Sequence, residues 1–108
     1  MPQSHVLETL YQVIQSRRDA DPDKSNTARL FAKGKKKIAQ KLGEEAVECA
    51  LAAVDGGREQ VIAESADLLF HLMILWADRG VRPAEIYAEL ARREGVSGLS
   101  EKASRKRD

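Results

Sequence analysis

Residues 36–54, KKIAQKLGEEAVECALAAV, and residues 58–79, REQVIAESADLLFHLMILWADR, are two long runs parted by Asp55-Gly56-Gly57, and they decide the fold. Wound at about 100° per residue, Ile38, Leu42, Ala46, Val47, Cys49, Ala50, Leu51 and Val54 cover more than half of the first wheel. The arc left over carries Lys37, Lys41, Glu44, Glu45 and Glu48 beside the small Ala52. On the second wheel, residues from Val61 to Trp76 are apolar over most of the circumference. Only a strip of Gln60, Glu64, Asp67, His71 and Asp78 remains. A helix this apolar is buried by neighbours on several sides, so both runs are expected at the centre of a bundle.

The flanking sequence supplies shorter helices. Gly80 stops the second run, and Pro83 opens a helix over about 83–94 in the position where a first turn tolerates proline. Residues 4–18 place Leu7, Leu10, Tyr11 and Ile14 on one helical face behind Ser4 as N-cap. Asp19–Asp23 (DADPD) is a turn-rich break. Ser25-Asn26-Thr27 offers caps for a short helix with Leu30 and Phe31, closed by Gly34. No stretch alternates apolar and polar residues over strand length. The expectation is an all-α bundle of four to five helices, one domain over residues 1–95, followed by a basic, flexible tail over 96–108.

Bulk composition narrows the class. A chain of 108 residues holds one modest core. Lys plus Arg number 18 and Asp plus Glu 17, and a net charge of +1 argues against a protein that coats nucleic acid. Cys49 is the one cysteine, which excludes an internal disulfide and multi-cysteine zinc or iron–sulfur sites, and fits a reducing cytoplasm. The start, MPQSHVLETL, lacks the parts of a signal peptide. The longest strongly apolar stretch, Leu68–Ala77, contains His71 and is too short for a bilayer. A cytoplasmic protein with no membrane or nucleic-acid partner is expected.

The acidic stripes are the chemical signal. Glu64 and Asp67 are a like-charge pair at i, i+3, and no Lys or Arg lies between Arg58 and Arg79 to offset them. Facing helices can bring Glu45, Glu48, Glu64 and Asp67 to one point, with Glu44 close behind. Oxygen-only ligands suit a hard divalent cation, Mg²⁺ or Mn²⁺. Arg29, Lys33, Lys35, Lys36, Lys37 and Lys41 form a basic cluster beside them, and together the two clusters make a polyphosphate site. From the wheels alone the stripe reads more readily as a solvated face than as a metal site. His71 reads as a core or capped histidine, and Cys49, Phe70 and Trp76 as core. The Glu-x-x-His pairs of di-iron bundles are missing, which makes a redox centre a poor fit.

The string Lys41-Leu42-Gly43-Glu44-Glu45-Ala46-Val47-Glu48, followed by Glu64-Ser65-Ala66-Asp67-Leu68-Leu69-Phe70-His71-Leu72, resembles the phosphoribosyl-ATP pyrophosphatase family, within the wider MazG-like all-α nucleotide pyrophosphatases. Ser25-Asn26-Thr27-Ala28-Arg29-Leu30 and the tail Glu101-Lys102-Ala103-Ser104 are similar to it as well, so the likeness covers about residues 5–107. It departs at Asn26, where the family often carries an aromatic.

The resemblance implies hydrolysis of phosphoribosyl-ATP at its α–β phosphate bond, the second step of histidine biosynthesis, in a stand-alone, Mg²⁺-dependent homodimer. It implies Glu45, Glu48, Glu64 and Asp67 as metal ligands, and Glu44 as a further ligand or the group that orients water. It also implies Asn26, Thr27, Arg29, Lys37, Lys41 and Lys102 as contacts to phosphate or ribose of this small-molecule nucleotide. The alternatives are a house-cleaning (d)NTP pyrophosphatase of the same superfamily and a non-enzymatic helical interaction module. A dimer is also expected from the wheels, since a second copy can cover what one short chain leaves bare.

Overall fold

A computed structural model of the protein describes residues 5–94, and every residue in them that forms regular structure is helical. Five helices follow in order: α1 (Val6–Arg17), α2 (Asn26–Lys33), α3 (Lys35–Asp55), α4 (Arg58–Arg79) and α5 (Pro83–Arg93). The bounds differ from expectation by a residue or two, as helix ends do. Ser4, Lys102 and the tail over 96–108 lie outside the described residues. His5 holds the N-cap position of α1 without a side-chain bond.

Local chemistry fixes the junctions. At α2 only Ser25 caps, its Oγ accepting from the Ala28 N–H at 3.1 Å; Asn26 and Thr27 are already helical. Gly34 alone joins α2 to α3, at φ 93° and ψ −179°, a region that is nearly glycine's own. Gly34→Ala is expected to cost about 1–3 kcal/mol. A melting temperature unchanged within about 2 °C would contradict that, since 1 kcal/mol is worth roughly 4–8 °C in a domain of this size. Gly80 closes α4 in the left-handed conformation at φ 72°, and the Val81 N–H reaches back to the Trp76 carbonyl at 2.8 Å.

The core sits at one end of the molecule. Tyr11 and Ile14 of α1, Ile38 near the start of α3, and Met73, Ile74, Trp76 and Ala77 near the end of α4 are buried together, with Leu30, Phe31 and Phe70 packed against them. The Tyr11 hydroxyl donates to the Val81 carbonyl at 2.7 Å. Arg18 donates to the Ala77 carbonyl at 2.8 Å, lies 3.8 Å from Asp78, and stacks over Phe31. These contacts tie α1 and α2 to the C-terminal end of α4.

The antiparallel α3–α4 pair is the spine, but its far half is covered less than the wheels suggest. Ala52 is the one buried residue in the second half of α3. Val47, Leu51 and Val54 are 59%, 55% and 78% exposed, and Ile62 and Leu69 of α4 are bare as well. Within one chain, then, the central helices are enclosed on several sides only where α1 and α2 reach them. By length and composition α4 could cross a membrane; here it is the helix that carries most of the core and two of the site's carboxylates.

Candidate active site

Glu45 and Glu48 occupy successive turns of α3, and Glu64 stands opposite on α4. One carboxylate oxygen from each lies within 4.8 Å of the other two. This is the convergence expected from the i, i+3 spacing. Asp67 falls outside that trio: it is exposed, one turn along α4 from Glu64, and lines the neighbouring cavity.

The trio is electrostatically unsatisfied. Burial, and then the charges of Glu48, Asp67 and Glu45, push the Glu64 carboxyl above its ordinary range. Glu64 Oε2 is buried and has no hydrogen-bond partner among the described residues. Three converging carboxylates with an orphaned oxygen fit a hard cation, which takes oxygen ligands and removes the repulsion. Glu45 faces His71, whose Nε2 is 3.8 Å from Glu45 Oε1. Cys49 is half-buried rather than core, its Sγ 3.5 Å from Ser65 Oγ across the α3–α4 pair.

Beside the trio opens a cavity of ≈ 610 Å³. Asn26, Thr27 and Arg29 of α2 and Lys37 and Lys41 of α3 all line it, as expected for phosphate contacts. Lys33 does too; it ends α2, so the turn at Gly34 and not a shared helical face sets it in the same lining as Lys37 and Lys41. Lys35 and Lys36 do not reach it. Leu30, Phe70 and Ile74 give it an apolar wall, so Phe70 is site lining as well as core. Glu44, Asp67 and His71 complete the lining. Arg29 is steadied by its Nε, which donates to the Pro22 carbonyl at 3.1 Å.

Glu44 behaves differently from its neighbours. It accepts from Gln40 Nε2 at 2.9 Å and pairs with Lys41 at 3.6 Å. The Gln40 hydrogen bond foremost, then Lys41 and Lys37, holds its carboxyl below the ordinary range. It stands among the cations of the cavity, outside the trio. Glu48 and Glu64 also border a second cavity of ≈ 410 Å³, with Leu51, Ala52, Asp55, Gly56 and Gln60, and no basic residue lines it.

The family model described as Phosphoribosyl-ATP pyrophosphohydrolase matches residues 7–94. The phosphoribosyl-ATP pyrophosphatase of Paramagnetospirillum magneticum is 61% identical over 102 residues, 94% of either chain. That of Rhodospirillum rubrum is 56% identical over 98% of this chain and 91% of its own. That of Gluconobacter oxydans is 54% identical over the whole of this chain and 81% of its own. The match spans all five helices, the carboxylate trio and the basic cavity, and the chain belongs to the phosphoribosyl-ATP pyrophosphohydrolase family.

Proposed function

We propose that the protein hydrolyses phosphoribosyl-ATP at the α–β phosphate anhydride, giving phosphoribosyl-AMP and pyrophosphate, the second step of histidine biosynthesis, in the cytoplasm and as a homodimer. The observation that carries this reading is an unsatisfied carboxylate trio whose helix neighbours Glu44, Asp67 and His71 line a cavity together with Arg29, Lys33, Lys37 and Lys41. Family membership narrows the polyphosphate to the substrate named for the relatives.

Glu45, Glu48 and Glu64 would hold Mg²⁺, with Asp67 at the edge of the set; Mn²⁺ suits the same oxygens. When bound, the ion supplies positive charge and Lewis acidity to the phosphate oxygens. The four basic side chains neutralise the rest of the phosphate chain and hold the pyrophosphate as it leaves. Glu44, kept ionised by Gln40 and Lys41, fixes Lys41 over the cavity. Asp67, whose charge acts on Glu64 and which lines the basic cavity, would be the carboxylate to orient the attacking water. The water oxygen bonds to phosphorus, the anhydride P–O bond breaks, and the proton is lost to a carboxylate or to solvent.

The test is pyrophosphate release from phosphoribosyl-ATP by the pure protein with and without Mg²⁺. Release that needs the ion supports the reading, and none overturns it. Faster hydrolysis of free dNTPs would instead favour the house-cleaning activity. Lys41→Ala is expected to raise KM about 10-fold with kcat within a few-fold, since one charged hydrogen bond to phosphate is worth about 1.5–3 kcal/mol and acts in the ground state as well. Steady-state kinetics read it directly.

The homodimer rests on Val47, Leu51 and Val54, which lie at i, i+4 and i+7 on one face of α3, and on exposed Ile62 and Leu69 of α4. A row of bare aliphatic side chains over two helices marks an interaction surface, and twofold pairing covers it with the same face of a second copy.

A further inference from the structure

The side chain left over by the site as described is His71. It lies one turn beyond Asp67 on α4, and its Nε2 is 3.8 Å from Glu45 Oε1 of α3. Both side chains are mostly buried, at 16% and 13% exposure. The ring stands edge-on to Phe70, with centroids 5.6 Å apart at 88°. Its other nitrogen, Nδ1, is buried and has no partner. The imidazole is therefore packed against Phe70, borders the basic cavity, and turns its Nε2 toward Glu45.

Glu45 in turn is drawn two ways. Its carboxylate converges with Glu48 and Glu64, and its Oε1 faces the histidine. A glutamate has three rotatable side-chain bonds, and like charge from Glu48 and Glu64 drives it away from the trio. Something must oppose that drift if the trio is to stay gathered. In carboxylate sites this is the work of donors behind the ligand, which set its orientation and typically affect metal affinity by about 10–100-fold.

We propose that His71 is a positioning residue: its Nε2–H, donated to Glu45 Oε1, keeps the Glu45 carboxylate turned toward Glu48 and Glu64. The contact shortens from 3.8 Å when the site closes on its ligand, as catalytic contacts do. This rests on the metal-binding reading of the trio, and the experiment separates the two.

Mn²⁺ binding to the substrate-free protein, followed by electron paramagnetic resonance or calorimetry, is the readout, with pyrophosphatase kinetics alongside. His71→Leu should weaken Mn²⁺ about 10–100-fold and raise the Mg²⁺ concentration needed for half-maximal rate. His71→Gln, which places an amide N–H near the former Nε2, should recover most of the affinity. In a Glu45→Gln background, His71→Leu should add no further loss, because the residue acts through Glu45. Unchanged Mn²⁺ affinity in a folded His71→Leu protein overturns the proposal. So does a His71→Gln variant as weak as His71→Leu, or a loss that persists undiminished beside Glu45→Gln. If the unsubstituted protein binds no Mn²⁺, the metal site falls and this role falls with it.

Discussion

Glu48→Ala should lower kcat/KM for phosphoribosyl-ATP by at least about 1000-fold, roughly 4 kcal/mol of transition-state stabilisation. Glu48 is central to the trio: its carboxylate is within 4.8 Å of both Glu45 and Glu64, and it borders the second cavity as well. It is also exposed, so truncation leaves no cavity in the core and the helix content should be unchanged. Glu64→Gln should be equally inactive and should differ in stability. Folding raises the Glu64 pKa above the ordinary 4.5, through burial and the neighbouring carboxylates. The folded state therefore holds that proton more tightly than the unfolded state does. Its stabilising contribution is complete below 4.5 and is lost as pH rises through the raised folded value. At neutral pH the ionised Glu64 works against the metal-free fold, and the Glu64→Gln variant should melt higher than the original without Mg²⁺. With Mg²⁺ the order should close or reverse, because only the original site gains from the ion. Melting curves at pH 4 and 7.5, with and without metal, read all of this. An active Glu48→Ala enzyme, or a Glu64→Gln protein that melts lower at pH 7.5 without metal, would refute the trio.

Leu51→Glu should abolish the proposed dimer. Leu51 is 55% exposed in the single chain and lies between Val47 and Val54 on the bare face of α3. Burying a leucine is worth about 1.5–3 kcal/mol, and a twofold interface counts each substitution twice. The dimer dissociation constant should therefore rise by at least about 100-fold, even before the cost of a buried carboxylate. Light scattering at micromolar concentration reads the outcome. Because Leu51 also borders the second cavity, mass rather than activity is the measure. A Leu51→Glu variant that stays dimeric, or an original protein that is already monomeric, would end the proposal.

Much of this was legible beforehand because local rules governed it. Gly80 and Pro83 act on the residues beside them, so the end of α4 and the start of α5 fell where the sequence placed them. The i, i+3 pairs Glu45/Glu48 and Glu64/Asp67 put the right carboxylates on facing stripes, and three of the four met. What local rules could not give was how far along the spine the shorter helices reach. The wheels show that α3 and α4 are apolar nearly all round, and they say nothing of where α1 and α2 stop. Nor could they separate Glu44 from Glu45, adjacent in sequence but about 100° apart on the helix: one turns to Lys41 and the cavity, the other to His71 and the trio. His71 looked like an ordinary core histidine because its partner is far off in sequence, across the hairpin.

Every candidate metal ligand lies between residues 45 and 67, on two helices joined only by Gly56 and Gly57. Bringing such neighbours together closes a very short loop at little entropic cost, so this pairing is among the first the chain can make. The acidic cluster should thus form early in folding, and its self-repulsion should slow the collapse of the hairpin as well as burden the finished fold. Protons or divalent ions in the surrounding medium act on that step by screening it. The same side chains that carry the chemistry also govern how quickly a new copy reaches its shape.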